Sequence, residues 1–112
     1  MSQQFLSLDD VTTGTGAAVP LTQAMNARRV TAYVAFAPGS TVGVVRLETA
    51  HREDYAGVWS SIADVDNASL TEDVKHIQID GPIGALRGRV TTTVSGGGDP
   101  GVTVVFIVDD DI

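Results

Sequence analysis

The chain has 112 residues, with fourteen acidic against seven basic residues, a formal net charge of −7 and no cysteine. This length predicts one domain with one hydrophobic core, and the lack of cysteine excludes disulfides, thiolate metal sites and a cysteine nucleophile. The acidity predicts no nucleic-acid and no membrane partner, because phosphate backbones and anionic lipid surfaces repel an acidic protein. The longest apolar run, Val102 to Val108, is too short to span a membrane, so we expect a soluble protein.

Residues 1–16 are expected to form an extended N-terminal arm, because their apolar residues follow no regular period. The arm carries Phe5, Leu6, Leu8 and Val11. Burying an apolar side chain stabilises by roughly 1.5–3 kcal/mol, so these residues should dock either on this domain or on a neighbouring subunit. We regard all four as candidate partner-binding residues.

Residues 17–112 are expected to form a single β-sandwich domain. Ala17 to Leu21 predicts a short strand, which its proline places at the edge of a sheet. Arg29 to Ala37 alternates between two faces as a core strand does, and a Pro-Gly-Ser turn leads to a further strand, Thr41 to Thr49. The short turn predicts that these two strands form a hairpin.

The second half of the chain adds further strands. Trp59 begins a short alternating segment that ends at Val65, and we expect this single tryptophan to be buried at one end of the core. Val74 to Ile79 predicts another strand. Leu86 to Val108 reads as two strands joined by a glycine-rich turn, and we predict a hairpin here. Val102 to Val108 is apolar on both faces, so its second face should also be covered.

These elements predict an all-β fold. The short strands, separated by Gly, Pro, Asn and Asp clusters, indicate an antiparallel β-sandwich or a jelly-roll-like barrel of about seven to eight strands, with the extended N-terminal arm in addition. No stretch has the period of an amphipathic helix.

The sequence assigns no catalytic, cofactor-binding or metal-binding residue. His51 and His76 have no zinc-ligand spacing around them. The segment that begins at Asp64 and Asp66 resembles the start of a calcium loop, but it lacks the glycine and the glutamate that such a loop requires. The acidic run Asp109 to Asp111 is typical of a solvated tail. We therefore expect no enzyme activity and no cofactor.

Arg87 and Arg89 lie on the solvent-exposed face of one predicted strand. They can pair with Glu48 or Asp80 across the sheet, or they can present their guanidinium groups to carboxylates of a partner. Both arginines are therefore candidate partner-binding residues as well.

The order of these strands and turns resembles that of small β-sandwich virion proteins of tailed bacteriophages, of the head-decoration, cement or minor capsid type. The resemblance runs from about Gly14 to Val108 and is a pattern of strands and turns rather than a catalytic motif. Its parts are the Thr-Gly-Thr-Gly opening with its short strand (Gly14 to Leu21), the strands Val30 to Phe36 and Val42 to Glu48, Trp59-Ser-Ser-Ile62, the strand that starts Arg87-Gly-Arg89-Val90, and the closing Val102 to Val105.

This resemblance implies a non-enzymatic protein that binds the outer surface of a phage head and stabilises it. It implies the major capsid protein or other virion proteins as partners, synthesis in the host cytoplasm, and a homo-oligomer, with a trimer favoured. The loop before Trp59, Ala50 to Gly57, is longer than the family pattern. An alternative is therefore a carbohydrate-binding, tail-fibre or adaptor module that contacts host glycan or another virion protein, for which Tyr33, Tyr55 and Trp59 are the candidate aromatic residues.

Overall fold

The structure is a computed structural model that describes residues 2–20, 27–70, 72–80 and 84–110. The described chain forms eight β-strands and one short 3₁₀ turn, which confirms the predicted all-β fold. The strands are β1 (Ser2–Val11), β2 (Val19–Pro20), β3 (Ala27–Phe36), β4 (Ser40–Ala50), β5 (Ser60–Asp66), β6 (Val74–Asp80), β7 (Ala85–Gly96) and β8 (Val102–Asp110), and the 3₁₀ turn is Asn67–Ser69.

The strands form two antiparallel four-stranded sheets that pack face to face. The first sheet has the order β1-β8-β3-β6, and the second has the order β2-β7-β4-β5. Consecutive strands lie in different sheets in every case except β4 and β5. These orders are those of a double-sheet jelly roll, so the sandwich and jelly-roll predictions describe the same arrangement.

The two predicted hairpins are wrong. β7 pairs with β2 and β4, whereas β8 pairs with β1 and β3. In the same way β3 lies in the first sheet and β4 in the second. The glycine-rich turn before β8 and the Pro38-Gly39 turn before β4 therefore carry the chain across the core. A short turn brings two strands together, but it allows them to face each other across a core as readily as to pair.

The core lies between the two sheets and is built from alternate residues of each strand. The alternation read from the sequence of β3 is confirmed, because its even-numbered positions from 30 to 36 are all buried. The even-numbered positions of β8 from 102 to 108 lie beside them on the adjacent strand and are buried as well. The buried residues of the second sheet that complete this core are Val19, Val45, Leu47, Val65, Leu86 and Val94.

Residues 2–11, predicted as an extended arm that docks on this domain or on a neighbouring subunit, dock on this domain as the edge strand β1 of the first sheet. β1 pairs with β8 from Ser2 opposite Asp109 to Val11 opposite Val102. The register shifts between Leu6 and Leu8 and again between Leu8 and Val11. Such bulges interrupt the alternation of a strand, and for this reason the sequence of β1 shows no regular period.

Residues 12–16 also belong to the sandwich rather than to a separate arm. They run along β7, where Gly16 N–H donates to the Gly88 carbonyl and Gly14 accepts from Val90 N–H. The buried Ser7 hydroxyl joins the two sheets, because it donates to the Ala17 carbonyl and accepts from Gly88 N–H. No break therefore separates residues 1–16 from the predicted domain 17–112 over the part described.

Candidate functional site

The outer surfaces of the two sheets differ in charge, and the second sheet carries a cluster of ion pairs. Glu48 of β4 lies opposite Arg87 of β7 in the register of the two strands. Arg87 Nε donates to one oxygen of Glu48 at 2.9 Å, and Arg89 Nε donates to the other oxygen at 3.1 Å. The Glu48 side chain is only 3% exposed. Both oxygens of this buried carboxylate therefore accept a hydrogen bond from a charged donor, which offsets the cost of burying it.

The sequence left open whether Arg87 and Arg89 pair within the chain or bind a partner, and the structure shows both of them paired with Glu48. The side chains of these arginines remain 21% and 38% exposed. A guanidinium carries five N–H donors, and each of these two uses its Nε on Glu48. Further carboxylates can therefore approach the same two arginines from the solvent side.

Trp59 fixes the position of Arg87. The guanidinium carbon of Arg87 lies 4.1 Å from the centre of the Trp59 ring, a cation–π contact. The indole N–H donates to the Tyr55 carbonyl at 2.9 Å, and the residue is only 4% exposed. The predicted burial of Trp59 is confirmed, but its predicted place at one end of the core is not, because Trp59 lies outside the core cluster and packs on a charged group. This packing limits the rotamers of Arg87 and so orients its contact with Glu48.

A second ion pair lies beside this cluster. Arg46 Nε donates to Asp64 at 2.9 Å, and both side chains are more than a third exposed. The hydrogen bond and the charge of Asp64 raise the pKa of Arg46 above its ordinary value, so Arg46 stays charged over the working pH range. We call these five residues the charged face (Arg46, Glu48, Asp64, Arg87, Arg89). Asp66 lies beyond Asp64 on the same surface, so the three arginines are balanced by three carboxylates, but Arg87 and Arg89 share a single one.

Of the three central rows on the outer surface of the first sheet, two carry no charged residue. In the third row, the exposed bulge residues Asp9 and Asp10 of β1 lie beside Thr103 at the edge of the sheet. In the middle row, Leu6, Val105, Tyr33 and His76 lie side by side across the four strands. We call the uncharged residues of these three rows the uncharged face. Its members are Gln4, Leu6, Thr31, Tyr33, Ala35, Val74, His76, Gln78, Thr103, Val105 and Ile107.

Several side chains of the uncharged face are large, apolar and exposed. Leu6 is 50% exposed, and Val74 and Tyr33 are also exposed. Val105 and Ile107 are half-buried between their neighbours. Tyr33 stands against His76 with ring centres 6.1 Å apart. The second face of β8, which the sequence predicts to be covered, is therefore only partly covered within one chain.

The four candidate residues of the N-terminal segment separate into two groups. Leu8 is buried in the core, and Phe5 and Val11 pack against it. Leu6 alone points away from the core, onto the uncharged face. Of the predicted apolar contact residues, only Leu6 is therefore placed to touch another molecule.

The residues weighed as metal ligands have structural roles or lie apart. Within the described ranges, no three His, Asp or Glu side chains lie close enough together to hold a metal ion. Asp66 accepts a hydrogen bond from Ala68 N–H and so caps the 3₁₀ turn, which accounts for the resemblance to a calcium loop. His51 packs on Tyr55, whereas His76 lies on the uncharged face. The tail residue Asp111 lies outside the described residues.

The described part of the chain contains no helix with the length and apolar character needed to cross a bilayer.

The same fold occurs in a prophage protein. The crystal structure of the SPBc2 prophage-derived protein YomS matches this chain with a TM-score of 0.65 and 16% sequence identity, over 96% of this chain and 92% of that one. The likeness therefore extends through all eight strands rather than through a shared half. No family model matches the sequence, and no curated protein matches it.

Sequence reasoning missed the uncharged face because that face depends on strand pairing. The sequence does show that Val105 and Ile107 are apolar on the second face of β8. It does not show that Leu6 and Tyr33 flank Val105, because that requires the order β1-β8-β3, in which no two neighbours are consecutive in the chain. The signal available was the segment Val102 to Val108, which is apolar at every position except Thr103, whereas a strand with one solvated face needs apolar residues only at alternate positions.

Proposed function

We propose that this protein is a non-enzymatic structural protein of a tailed-bacteriophage virion, and that it decorates and stabilises the outer surface of the head. The observation that carries the proposal is the fold shared with a prophage-derived protein over nearly the full length of both chains. Double-sheet jelly rolls recur in viral capsid proteins, which agrees with this assignment by analogy of fold. The resemblance of the strand pattern to decoration and cement proteins points to the head surface.

The charged face supplies the contact with the major capsid protein. Arg87 and Arg89 are held in place by Glu48 and Trp59, so little side-chain entropy remains to be lost when they bind a further carboxylate. Because these two arginines share one carboxylate, they give an acidic chain a local excess of one positive charge. A capsid surface that presents Asp or Glu side chains is the complementary partner.

The proposal is tested by adding the purified protein to virions that lack its gene and measuring retention on the particles after sedimentation. Wild-type protein should bind saturably and should raise the temperature at which the heads release DNA. Arg89→Gln should weaken binding, whereas Arg52→Gln, which removes an arginine of the exposed Arg52–Asp54 pair, should not. Failure of wild-type protein to bind heads would contradict the decoration role.

The alternative of a glycan-binding or tail-fibre module requires an exposed aromatic platform. Trp59 is buried under Arg87, and Tyr55 is half-buried, so these residues do not form such a platform. Tyr33 is exposed, and it lies on a sheet face beside His76 and Val105. The one specific observation that supports this alternative is therefore a single exposed tyrosine. We favour the decoration role, because one tyrosine does not make an aromatic platform.

A further inference from the structure

We propose that a second copy of this chain covers the uncharged face, so that two first sheets pack against each other about a two-fold axis near Val105 and Tyr33. The inference concerns the isolated protein and goes beyond the proposed virion role, which it does not require. It commits to a dimer rather than to the trimer that the family resemblance favours.

Charge is the first argument for a second copy as the occupant. Each chain carries a formal net charge of −7, so two copies repel each other over most approaches. Two of the three central rows of the first sheet carry no Asp, Glu, Lys or Arg. The charged residues lie around them, with Arg29 between Asp80 and Asp109 in the row at one end and with Asp9 and Asp10 of the edge strand beside Thr103 at the other. The centre of this face can therefore meet its own copy without opposing like charges, and charge confined to the margin is the pattern of an interface with an apolar core and a polar rim.

The apolar side chains of the face are also suited to pair with themselves. In a two-fold interface, each contact between two different residues occurs twice, and a residue at the axis meets its own copy. Leu6, Val105 and Tyr33 form a continuous apolar row that crosses the centre of the sheet. When one such sheet packs on another, the side chains of the two faces interdigitate as they do in the core of a sandwich.

The size of the face agrees with that of a stable dimer interface. Four strands spaced about 4.8 Å apart and three rows spaced about 6.8 Å apart, with their side chains, cover about 20 Å in each direction. With the row of Arg29, the accessible surface of such a face is on the order of 600 Å² per copy, which lies at the lower end of the range of specific interfaces, about 600–1,000 Å² per partner.

The test compares a lysine on each outer face. Leu6→Lys places a charge on the uncharged face, and Val42→Lys places the same charge at a similarly exposed valine of the second sheet, 47% exposed against 50% for Leu6. Both variants reduce the net charge from −7 to −6. A smaller net charge weakens the repulsion between copies and therefore favours association of both variants. If only Leu6→Lys dissociates, the cause is the position of the lysine, and the uncharged face is the interface.

We expect sedimentation equilibrium to give a dimer mass for wild-type protein and for Val42→Lys. Leu6→Lys should raise the dimer dissociation constant by at least about tenfold, because it buries an unpaired charge at the interface. Far-UV circular dichroism checks that each variant is folded. A wild-type monomer or trimer, a Leu6→Lys dimer as tight as wild type, or dissociation of Val42→Lys would each overturn the proposal.

A crosslinking experiment tests the same face without adding a charge. The chain has no cysteine, so Val105→Cys and Val42→Cys each introduce a single thiol. A short bis-maleimide should convert Val105→Cys to a covalent dimer and leave Val42→Cys at background level. Equal crosslinking of the two variants would overturn the proposal even if Leu6→Lys failed to fold.

Discussion

Glu48 is the charged residue whose substitution should most destabilise the second sheet. The change is Glu48→Gln, which keeps the shape of the side chain and removes its charge. In the wild type, the nearly buried carboxylate accepts from Arg87 and Arg89, and the substitution leaves two neighbouring guanidinium groups without their shared anion.

The size of this effect follows from the burial of the three groups. Removing one partner of a fully buried ion pair costs about 3–5 kcal/mol. The two arginines are 21% and 38% exposed, so water compensates part of this loss, and we expect about 2–3 kcal/mol. For a domain of this size, that corresponds to a melting temperature lower by about 8–12 °C.

The assay is guanidinium unfolding followed by far-UV circular dichroism. The matched control is Asp64→Asn, which removes the carboxylate of the exposed Arg46–Asp64 pair on the same face and should cost less than about 1 kcal/mol. If Glu48→Gln and Asp64→Asn lower the free energy of unfolding by the same amount, the cluster around Glu48 contributes no more stability than a solvent-exposed ion pair. That result would refute the reasoning from burial.

Three further outcomes are expected. Trp59→Ala should destabilise by about 3–5 kcal/mol in guanidinium melts, since it empties a buried aromatic site and frees Arg87; a loss below about 1 kcal/mol would contradict this. A chain that begins at Gly14 lacks β1 and the buried Leu8, so its thermal unfolding should lose cooperativity; a sharp transition at the wild-type temperature would show that β1 is dispensable. Adding a chelator should leave the melting temperature unchanged, and a fall that calcium reverses would reveal a metal site.

The strands were predictable because a strand that buries one face shows a local alternation of apolar and polar residues. The alternation in β3 follows from burying one side of a strand, and it needs no knowledge of the partner strands. The pairing of the strands was not predictable in the same way. β8 lies between β1 and β3, which are distant from it in sequence. The sequence of a glycine-rich turn also does not distinguish a hairpin from a connection that crosses the core.

The strand β1 shows how a bulge conceals a strand. The register shift between Leu6 and Leu8 places Ser7 and Leu8 both in buried positions, and a second shift follows between Leu8 and Val11, so the apolar residues no longer alternate. At one of these shifts Asp10 has a positive φ of 50°, a conformation that aspartate adopts more readily than most residues. The pairing of Arg87 and Arg89 with Glu48 was open to prediction because opposite charges on adjacent strands attract, but the choice of Glu48 required the register.

The central claim, that this chain is a virion structural protein, is tested most directly by quantitative mass spectrometry of purified virions produced by a host that carries its gene. The account predicts that the protein stays with the particles through density-gradient purification, in many copies and at a fixed ratio to the major capsid protein. Absence of the protein from purified particles, while it is abundant in the lysate from which they came, would contradict the account.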